Sequence, residues 1–278
     1  MTKLQEKILN TMKAFDRVCR ENGLRYYMLG GTMLGALRHQ GFIPWDDDAD
    51  FGLPRADYEA LLRLPEEKMP EGFRLRHYTK ETGIPYAFAR LEDVNTIYVE
   101  ARRSGSGYVG GVYIDIFPLD EDSSVPILQG WKEFRVNVVK KLLYAHIADE
   151  TAVKHPVKRR VMAGIVKHTN TEALVRKLDT MVKGTQAGKK SASDSRYSNY
   201  LGHWGRRESI PYRVFGMKQK EYVFEDTRFF GPADGKAYLT SLYGPEYMVP
   251  PADTMRKGHP AKIMDLERSY LTYKKENN

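Results

Sequence analysis

The chain has 278 residues and a mass of 32.0 kDa, enough for one large domain or two small ones. With 41% hydrophobic and 29% charged residues it can bury a core, which excludes extensive disorder. No apolar run approaches the roughly 18 residues of a membrane-spanning helix, and the N-terminal residues intersperse charge unlike a signal peptide. A single cysteine, Cys19, excludes an internal disulfide and a multi-cysteine zinc site. We therefore expect a soluble, cytoplasmic protein.

The net charge of +8 is concentrated in one region. Residues 121–190 hold 14 of the 44 Lys and Arg residues but only 7 of the 36 Asp and Glu residues, so the remainder is nearly neutral. A nucleic-acid-binding protein usually spreads basic residues over its contact surface. We therefore expect no nucleic-acid partner, although binding through the basic region alone would show as steep salt dependence.

The first third of the chain alternates helix and strand signals. Apolar residues at three- and four-residue steps from Leu4 to Val18 predict a helix that Gly23 ends. A short strand over 25–29 leads into Gly30-Gly31 and a helix that begins near Thr32. A further helix is expected over 55–64 after Pro54, and strands are expected over 73–78, 86–91, 96–101 and 110–117.

The rest of the chain changes character twice. Residues 127–183 have a helical pattern, 184–198 resemble a loop, and the last third has short strands and a terminal helix. These signals predict an α+β fold with a mixed sheet. We expect a core over 1–120, a basic helical insertion over 121–190, and a C-terminal part over 191–278 that completes the core and its cleft.

The acidic cluster Asp46, Asp47, Asp48 and Asp50 is the strongest chemical signal. Residues two apart on a strand point to one face, so Asp48 and Asp50 would project together with Ala49 and Phe51 in the core. Adjacent carboxylates repel each other, and a cation between them relieves the repulsion. Oxygen ligands favour Mg²⁺ or Mn²⁺ over zinc. A solvated acidic loop is the alternative interpretation.

Two further elements accompany this cluster. Gly30, Gly31 and Thr32 would place backbone amides at a helix N-terminus, where phosphate can bind. Asp115 interrupts an apolar strand and would complete a three-carboxylate metal site with Asp48 and Asp50, unless it is a paired structural residue. Such triads hold cations that neutralise charge during phosphoryl transfer.

The sequence resembles the LicD family, which includes bacterial phosphocholine transferases and has distant relatives among fukutin-related ribitol-phosphate transferases. The resemblance is strongest over 29–50 (LGGTMLGALRHQGFIPWDDDAD) and continues at 54–58 and 114–120. It returns at 242–248, 250–251 and 256–259, so it spans about residues 23–260 with the basic helical region as its variable middle. Ala49 stands where an isoleucine or valine is usual, which leaves the alternation intact.

The resemblance implies a nucleotidyltransferase-type fold and a transfer of phospho-alcohol from a CDP-linked donor to a sugar hydroxyl, with release of CMP. It assigns Asp48, Asp50 and Asp115 as catalytic metal ligands, holding two Mg²⁺ or Mn²⁺ ions. CDP-choline is the expected donor and a glycan or lipid-linked oligosaccharide the acceptor, such as a precursor of teichoic acid, capsule or lipopolysaccharide. CDP-ribitol, CDP-glycerol and CDP-ethanolamine remain alternative donors.

Several side chains complete the expected site. Nucleotide or phosphate binding is assigned to Gly30, Gly31, Thr32, Arg38, His39, Arg256 and His259. Asp46, Asp47 and Arg90 are expected to orient the ligands, or to serve as a turn cap and a structural ion pair. A choline headgroup needs aromatic faces, and the candidates are Trp45, Tyr108, Tyr197 and Trp204.

Two questions stay open at this point. Nucleotidyl transfer with release of pyrophosphate uses similar acids, and a catalytically silent glycan-binding module is a further alternative. In the helical region, the apolar residues could pack on the core with the lysines outside, or the excess of Lys and Arg could rest on anionic lipid; these apolar residues are Leu128, Trp131, Phe134, Val138, Leu142 and Leu143. We favour a mostly structural insertion whose basic face allows peripheral membrane contact. The second interpretation places the protein at the inner face of the cytoplasmic membrane.

Overall fold

The computed structural model describes residues 1–122, 126–148, 156–183, 195–255, 258 and 260–277. Within them the helices are α1 (Lys3–Glu21), α2 (Gly30–His39), α3 (Arg55–Arg63), α4 (Pro126–Ile147), α5 (Pro156–His168), α6 (Thr171–Val182), α7 (Tyr212–Phe215), α8 (Gly235–Tyr243) and α9 (Tyr270–Asn277). The strands are β1 (Tyr27–Met28), β2 (Asp50–Pro54), β3 (Phe73–Arg76), β4 (Ala89–Asp93), β5 (Ile97–Glu100), β6 (Tyr113–Glu121), β7 (Arg196–Ser198), β8 (Ser209–Pro211), β9 (Lys220–Phe224), β10 (Thr227–Gly231) and β11 (Ala261–Asp265). The expected α+β class is confirmed.

A seven-stranded mixed sheet organises the molecule. Its main order is β1-β2-β6-β4-β3, and β7 pairs with the end of β6 and with β8. Only β2 and β6 run parallel in this sheet, while its other pairs are antiparallel. Two antiparallel pairs lie outside it: the hairpin of β9 with β10, and the long-range pair of β5 with β11. Helices α4, α5 and α6 follow β6, and the chain then returns as β7 to pair with that same strand.

The expected elements of the first third are present with small shifts. Helix α1 is capped by Thr2 and is followed by Gly23 at φ +64°, in the left-handed region that glycine adopts without strain. Helix α2 begins at Gly30, two residues before the expected start. Of the loop expected over 184–198, residues 184–194 lie outside the described residues, and Arg196–Ser198 form strand β7 instead.

The core lies between the sheet and the helices that cover it. Phe15 of α1 packs against Tyr26 and Phe51 with ring centroids 5.1 and 4.9 Å apart, which fixes α1 against the start of β2. Aromatic pairs of this kind contribute about 0.5–1.5 kcal/mol beyond their burial. Among the described residues, no helix combines the length and apolar character that crossing a bilayer requires.

Helix α4 packs differently from one of the two expected arrangements. It contacts the core through buried Val136, Val139 and Leu143. The expected core positions Leu128, Trp131, Phe134 and Val138 are instead exposed, so the prediction that they pack on the core is wrong. The helix has apolar residues on two opposite faces, and the sequence pattern does not show which face is covered.

A buried ion-pair network attaches the helical region to the sheet. The Arg55 guanidinium donates two hydrogen bonds to Asp120 of β6, at 2.8 and 2.7 Å, and one of 3.2 Å to Asp179 of α6. The side chain of Asp120 is 1% exposed, and Tyr78 donates a 2.6 Å hydrogen bond to Asp179. Removing one partner of such a network leaves an uncompensated buried charge.

Replacing Arg55 with alanine therefore tests this attachment. We expect Arg55→Ala to lower the free energy of unfolding by about 3–5 kcal/mol. The matched control is Arg25→Ala, which removes a half-exposed ion pair with Asp57 and should cost at most about 1 kcal/mol. Urea denaturation measures both, and equal costs for the two variants would contradict the assigned role of Arg55.

Candidate active site

Two aspartates are brought side by side by the one parallel strand pair of the main sheet. Asp50 at the start of β2 is in register with Asp115 of β6. The ladder extends one residue further, because the Asp115 amide donates to the Ala49 carbonyl at 2.9 Å. Ala49 and Phe51 are buried, as the alternation predicts, whereas Asp48 lies just before the strand. The backbone thus forces the two carboxylates onto neighbouring positions.

The N-terminus of α2 is fastened to this strand pair. The Thr32 hydroxyl accepts a 2.8 Å hydrogen bond from the Asp50 amide, and the Gly30 amide donates to the Tyr238 hydroxyl at 3.0 Å. Gly31 has its Cα against the acidic cluster, because a Cβ there would lie 2.8 Å from Asp46 Oδ2. Glycine at this position lets the Asp46 carboxylate lie against the first helical turn, where a larger residue would require Asp46 to shift.

Negative charge accumulates around Asp50. The enclosure of its carboxylate raises the pKa of Asp50 well above the ordinary range, and the charges of Asp48, Asp115 and Asp46 raise it further. Burial disfavours the charged form, and each neighbouring carboxylate adds repulsion. This arrangement is unfavourable for folding, which is typical of residues retained for function.

Arg90 is the cation that faces Asp115. Its Nε donates a 2.7 Å hydrogen bond to Asp115 Oδ1, and its guanidinium lies 3.6 Å from the Tyr113 ring centroid and 4.4 Å from that of Tyr86. Nη2 is buried 3.7 Å from Glu100 and makes no hydrogen bond within the described part of the chain. Of the two interpretations of Arg90, the structure shows the ion pair, but with a carboxylate of the site itself.

Asp46 and Asp47 point to different neighbours. Asp46 approaches Gly31, and its carbonyl accepts a 2.9 Å hydrogen bond from the side chain of Gln5. Asp47 lies against the C-terminal part of the chain, because a Cβ on Gly258 would be 2.7 Å from its Oδ2. Gly258 stands between the predicted site residues Arg256 and His259, which themselves lie outside the described residues.

Two site residues were missed by the sequence interpretation. A Cβ on Gly30 would lie 3.4 Å from Asp50 Oδ2 and 3.8 Å from the Tyr243 hydroxyl, so Tyr243 borders the carboxylates. Burial raises the pKa of Tyr243, and so do Asp50 and Asp46. Burial also raises the pKa of Glu208 to about 7, and Glu208 is close enough to influence Asp50. Both residues lie over 150 positions after Asp50; the stretch of resemblance at 242–248 contains Tyr243, whereas Glu208 lies outside the matched stretches.

One predicted aromatic residue lies next to this group. Trp204 packs edge-to-face on Tyr243 with ring centroids 5.1 Å apart, and its amide donates a 2.7 Å hydrogen bond to Glu208. The indole is 45% exposed, so part of its face is open to a ligand. An aromatic pair beside several carboxylates is a suitable environment for an organic cation.

Arg38, His39 and Trp45 lie near the other end of α2. Arg38 and His39 occupy the last turn, about 12 Å along the helix axis from Gly30 at 1.5 Å per residue. Arg38 Nη1 donates to the Tyr247 carbonyl at 3.1 Å, and His39 packs edge-to-face on Trp45 at 6.4 Å. The structure therefore separates these predicted phosphate-binding side chains from the first-turn amides.

Two of the predicted aromatic residues are placed elsewhere. Tyr197 is buried and packs on Tyr212 and Phe215, so it is a core residue. Tyr108 donates a 2.7 Å hydrogen bond to buried Glu92 and packs edge-to-face on Tyr86, whose ring lies between it and Arg90. Their local sequence gives no sign of this, since aromatic residues serve cores and binding sites alike.

The donor atoms at the site suit a hard divalent cation. Asp48, Asp50 and Asp115 offer only oxygen, and repulsion around Asp50 would be relieved by a positive ion. As placed, no three acidic, histidine or cysteine side chains in the described ranges are gathered closely enough to hold an ion. Binding would have to draw these carboxylates together, with one Asp115 oxygen already engaged by Arg90.

The structure thus combines a mixed sheet with strand-borne carboxylates beneath a glycine-led helix N-terminus. Residues 23–149 match the family model described as LicD/FKTN/FKRP, nucleotidyltransferase domain. Over these residues, which are somewhat less than half of the chain, the protein is similar to the LicD family.

Named proteins resemble the chain over different lengths. The lipopolysaccharide cholinephosphotransferase LicD of Haemophilus influenzae is 24% identical over 273 residues, covering 90% of this chain and 92% of that protein. The human ribitol 5-phosphate transferase FKRP is 27% identical over 116 residues, which is 42% of this chain and 21% of that protein. An uncharacterised protein of Rickettsia typhi is 36% identical over 66 residues, or 24% of this chain and 21% of that protein.

The repulsion at Asp50 gives a stability prediction for the metal-free protein. A carboxyl whose pKa is raised by folding destabilises the folded state increasingly as the pH rises above its unfolded value of about 4. We therefore expect Asp50→Asn, in the presence of a chelator, to stabilise the fold by about 1–2 kcal/mol at pH 8. The gain should shrink as the pH falls towards 4.

Urea denaturation at both pH values measures this gain. The control is Asp265→Asn on β11, where the residue is exposed and an amide oxygen can still accept from Glu267. It should leave the pH dependence of stability unchanged. A destabilised Asp50→Asn protein at pH 8 would contradict the proposed electrostatics.

Proposed function

We propose that the protein transfers phosphocholine from CDP-choline to a hydroxyl of a cell-surface glycan precursor, with release of CMP. The observation that carries this proposal is the in-register pairing of Asp50 and Asp115 beneath the first turn of α2. Similarity to the LicD family model supports the reaction class, and the name of the Haemophilus relative supports choline and a lipopolysaccharide-type acceptor. We place the reaction at the inner face of the cytoplasmic membrane, where lipid-linked acceptors are accessible.

The donor's diphosphate binds at the N-terminus of α2 in this proposal. The amides of Gly31 and Thr32 belong to the first turn, which has no acceptor further back in the helix, and the helix dipole favours negative charge there. Thr32 fixes this turn to β2 through the Asp50 amide. The phosphates are thereby held directly beside the carboxylates.

The transfer is a displacement at the β-phosphorus. The acceptor oxygen forms a bond to this phosphorus, and the bond to the oxygen bridging the two phosphates breaks, so CMP leaves with the electron pair. The hydroxyl proton passes to a carboxylate, for which Asp115 is our assignment. Asp48, Asp50 and Asp115 would hold Mg²⁺ or Mn²⁺, as two ions, which when bound neutralise charge on the phosphates. Arg90 keeps the Asp115 carboxylate in position.

Recognition of choline is assigned to Trp204 and Tyr243. A quaternary ammonium group donates no hydrogen bond and is held by aromatic faces and nearby negative charge. Trp204 and Tyr243 provide the faces, and Glu208 and Asp50 provide the charge. Ribitol-, glycerol- or ethanolamine-phosphate donors are the alternatives, of which ribitol matches the name of the human relative.

The reaction class is tested by product analysis. The protein is incubated with CDP-choline, CDP-ribitol, CDP-glycerol or CDP-ethanolamine and a lipid-linked glycan fraction, with Mg²⁺ or with EDTA. We expect metal-dependent CMP release with CDP-choline. Pyrophosphate release from nucleoside triphosphates, without CMP from any donor, would instead establish nucleotidyl transfer.

The carboxylates are tested by single substitutions in this assay. We expect Asp50→Asn and Asp115→Asn each to reduce turnover by about 100-fold or more, because the charge that stabilises the transition state is lost. Asp265→Asn on β11 carries the same chemical change on an exposed strand and should retain full turnover. Normal turnover in a folded Asp50→Asn protein would remove Asp50 from the catalytic residues.

The choline assignment is tested by two changes at one position. Trp204→Leu removes the aromatic face, and we expect about a tenfold rise in KM for CDP-choline, since a cation–π contact contributes about 1–2 kcal/mol. Trp204→Phe keeps a face and should behave much like the native protein. If both variants handle CDP-choline equally well, the headgroup binds elsewhere.

A further inference from the structure

Helix α4 presents a second apolar stripe on the face opposite its buried side. Ile127, Trp131, Phe134 and Val138 recur at four- and three-residue steps and therefore share one face. Their exposed fractions are 73%, 63%, 61% and 42%. Trp131 and Phe134 contact one another edge-to-face at 6.2 Å, so the stripe contains a continuous aromatic surface. Adjacent large side chains with this much exposure mark an interaction surface.

Helix α5 carries exposed apolar residues of its own. It contacts α4, and Val157 and Val161, one turn apart on it, are 62% and 57% exposed. We call these six apolar residues, with the exposed basic residues that flank them, the α4–α5 surface. On α4 these basic residues are Arg135 and Lys141, which lie on either side of the stripe on the helical wheel. On α5 they are Lys158 and Arg160.

The positive charge of the two helices indicates which kind of partner binds the α4–α5 surface. Together α4 and α5 contain eight Lys and Arg residues and one acidic residue, Glu133, which is paired with Arg206 at 2.9 Å. A second copy of the chain would present the same positive charge and be repelled. An anionic bilayer meets both requirements, because it accepts tryptophan and aliphatic side chains at the headgroup level and attracts the surrounding cations.

The α4–α5 surface is connected to the candidate active site through the segment that precedes β8. Lys140 of α4 donates a 3.2 Å hydrogen bond to the Tyr200 carbonyl, and Glu133 binds Arg206. Trp204, between these two contacts, packs on Tyr243 beside Asp50. A short chain of contacts therefore connects the α4–α5 surface to the side of the site formed by Trp204 and Tyr243.

We propose that the α4–α5 surface docks the protein onto an anionic lipid bilayer, with Trp131 and Phe134 inserted among the headgroups. The flanking lysines and arginines contact the lipid phosphates. This inference depends only on the surface, so it stands or falls independently of the reaction that the site catalyses.

The test is co-sedimentation of the full chain with vesicles of phosphatidylcholine, with and without phosphatidylglycerol. We expect recovery with the phosphatidylglycerol vesicles only, and weaker binding when salt rises from about 0.1 M to about 1 M, which shortens the Debye length from about 10 to about 3 Å. Trp131→Ser with Phe134→Ser should reduce binding by roughly tenfold or more, since the apolar contribution is lost. Lys141→Glu with Arg160→Glu should reduce it similarly.

The matched controls are the same kinds of substitution at exposed positions outside the α4–α5 surface. Met217→Ser with Val249→Ser removes two highly exposed apolar residues, and Lys3→Glu with Lys218→Glu reverses two exposed charges. Both should bind vesicles like the native protein, and circular dichroism verifies that every variant is folded. Equal recovery with and without phosphatidylglycerol overturns the proposal, and so does native binding by the Trp131 and Phe134 variant. Sedimentation equilibrium showing a dimer that this variant dissolves would assign the surface to a second copy instead.

Discussion

The parallel pairing of β2 with β6 is the constraint on which the site depends. Parallel register places Asp50 directly beside Asp115, and the alternation of the strand commits Ala49 and Phe51 to the core, so neither aspartate can turn away. The backbone therefore holds like charges together that would separate in a flexible loop. Contacts from the neighbouring elements stabilise this pairing.

Three kinds of contact hold the carboxylates in place. Thr32 ties α2 to the Asp50 amide, Arg90 neutralises part of the charge at Asp115, and the packing of Phe51 on Phe15 anchors β2 in the core. Each acts on the backbone or on a neighbour of the acidic cluster, and the repulsion at Asp50 itself persists. These contacts thus stabilise a fold that keeps the carboxylates close together despite their repulsion. A cationic ligand bound there would relieve that repulsion.

The part of the site that is local in sequence could be predicted, and the part assembled at long range could not. The burial of Ala49 and Phe51 on either side of Asp50 follows from strand alternation, and the turn at Gly30-Gly31 from the positive φ of Gly30; both effects operate over a few residues. Tyr243 and Glu208 reach Asp50 because α8 packs on α2 and the turn before β8 packs on α8. Arg90 was open between two interpretations, since an arginine in a strand gives no sign of which carboxylate it faces across the sheet.

The buried face of helix α4 also could not be predicted from the sequence. Its apolar residues lie on two faces, and a helical pattern identifies both without indicating which one the core covers. Helix α4 packs on α6, which Arg55, Asp120 and Asp179 attach to the sheet through a buried network. Trp131 and Phe134 lie on the face of α4 opposite its buried residues, near exposed basic side chains. This apolar surface is connected to the candidate active site through the segment that carries Trp204.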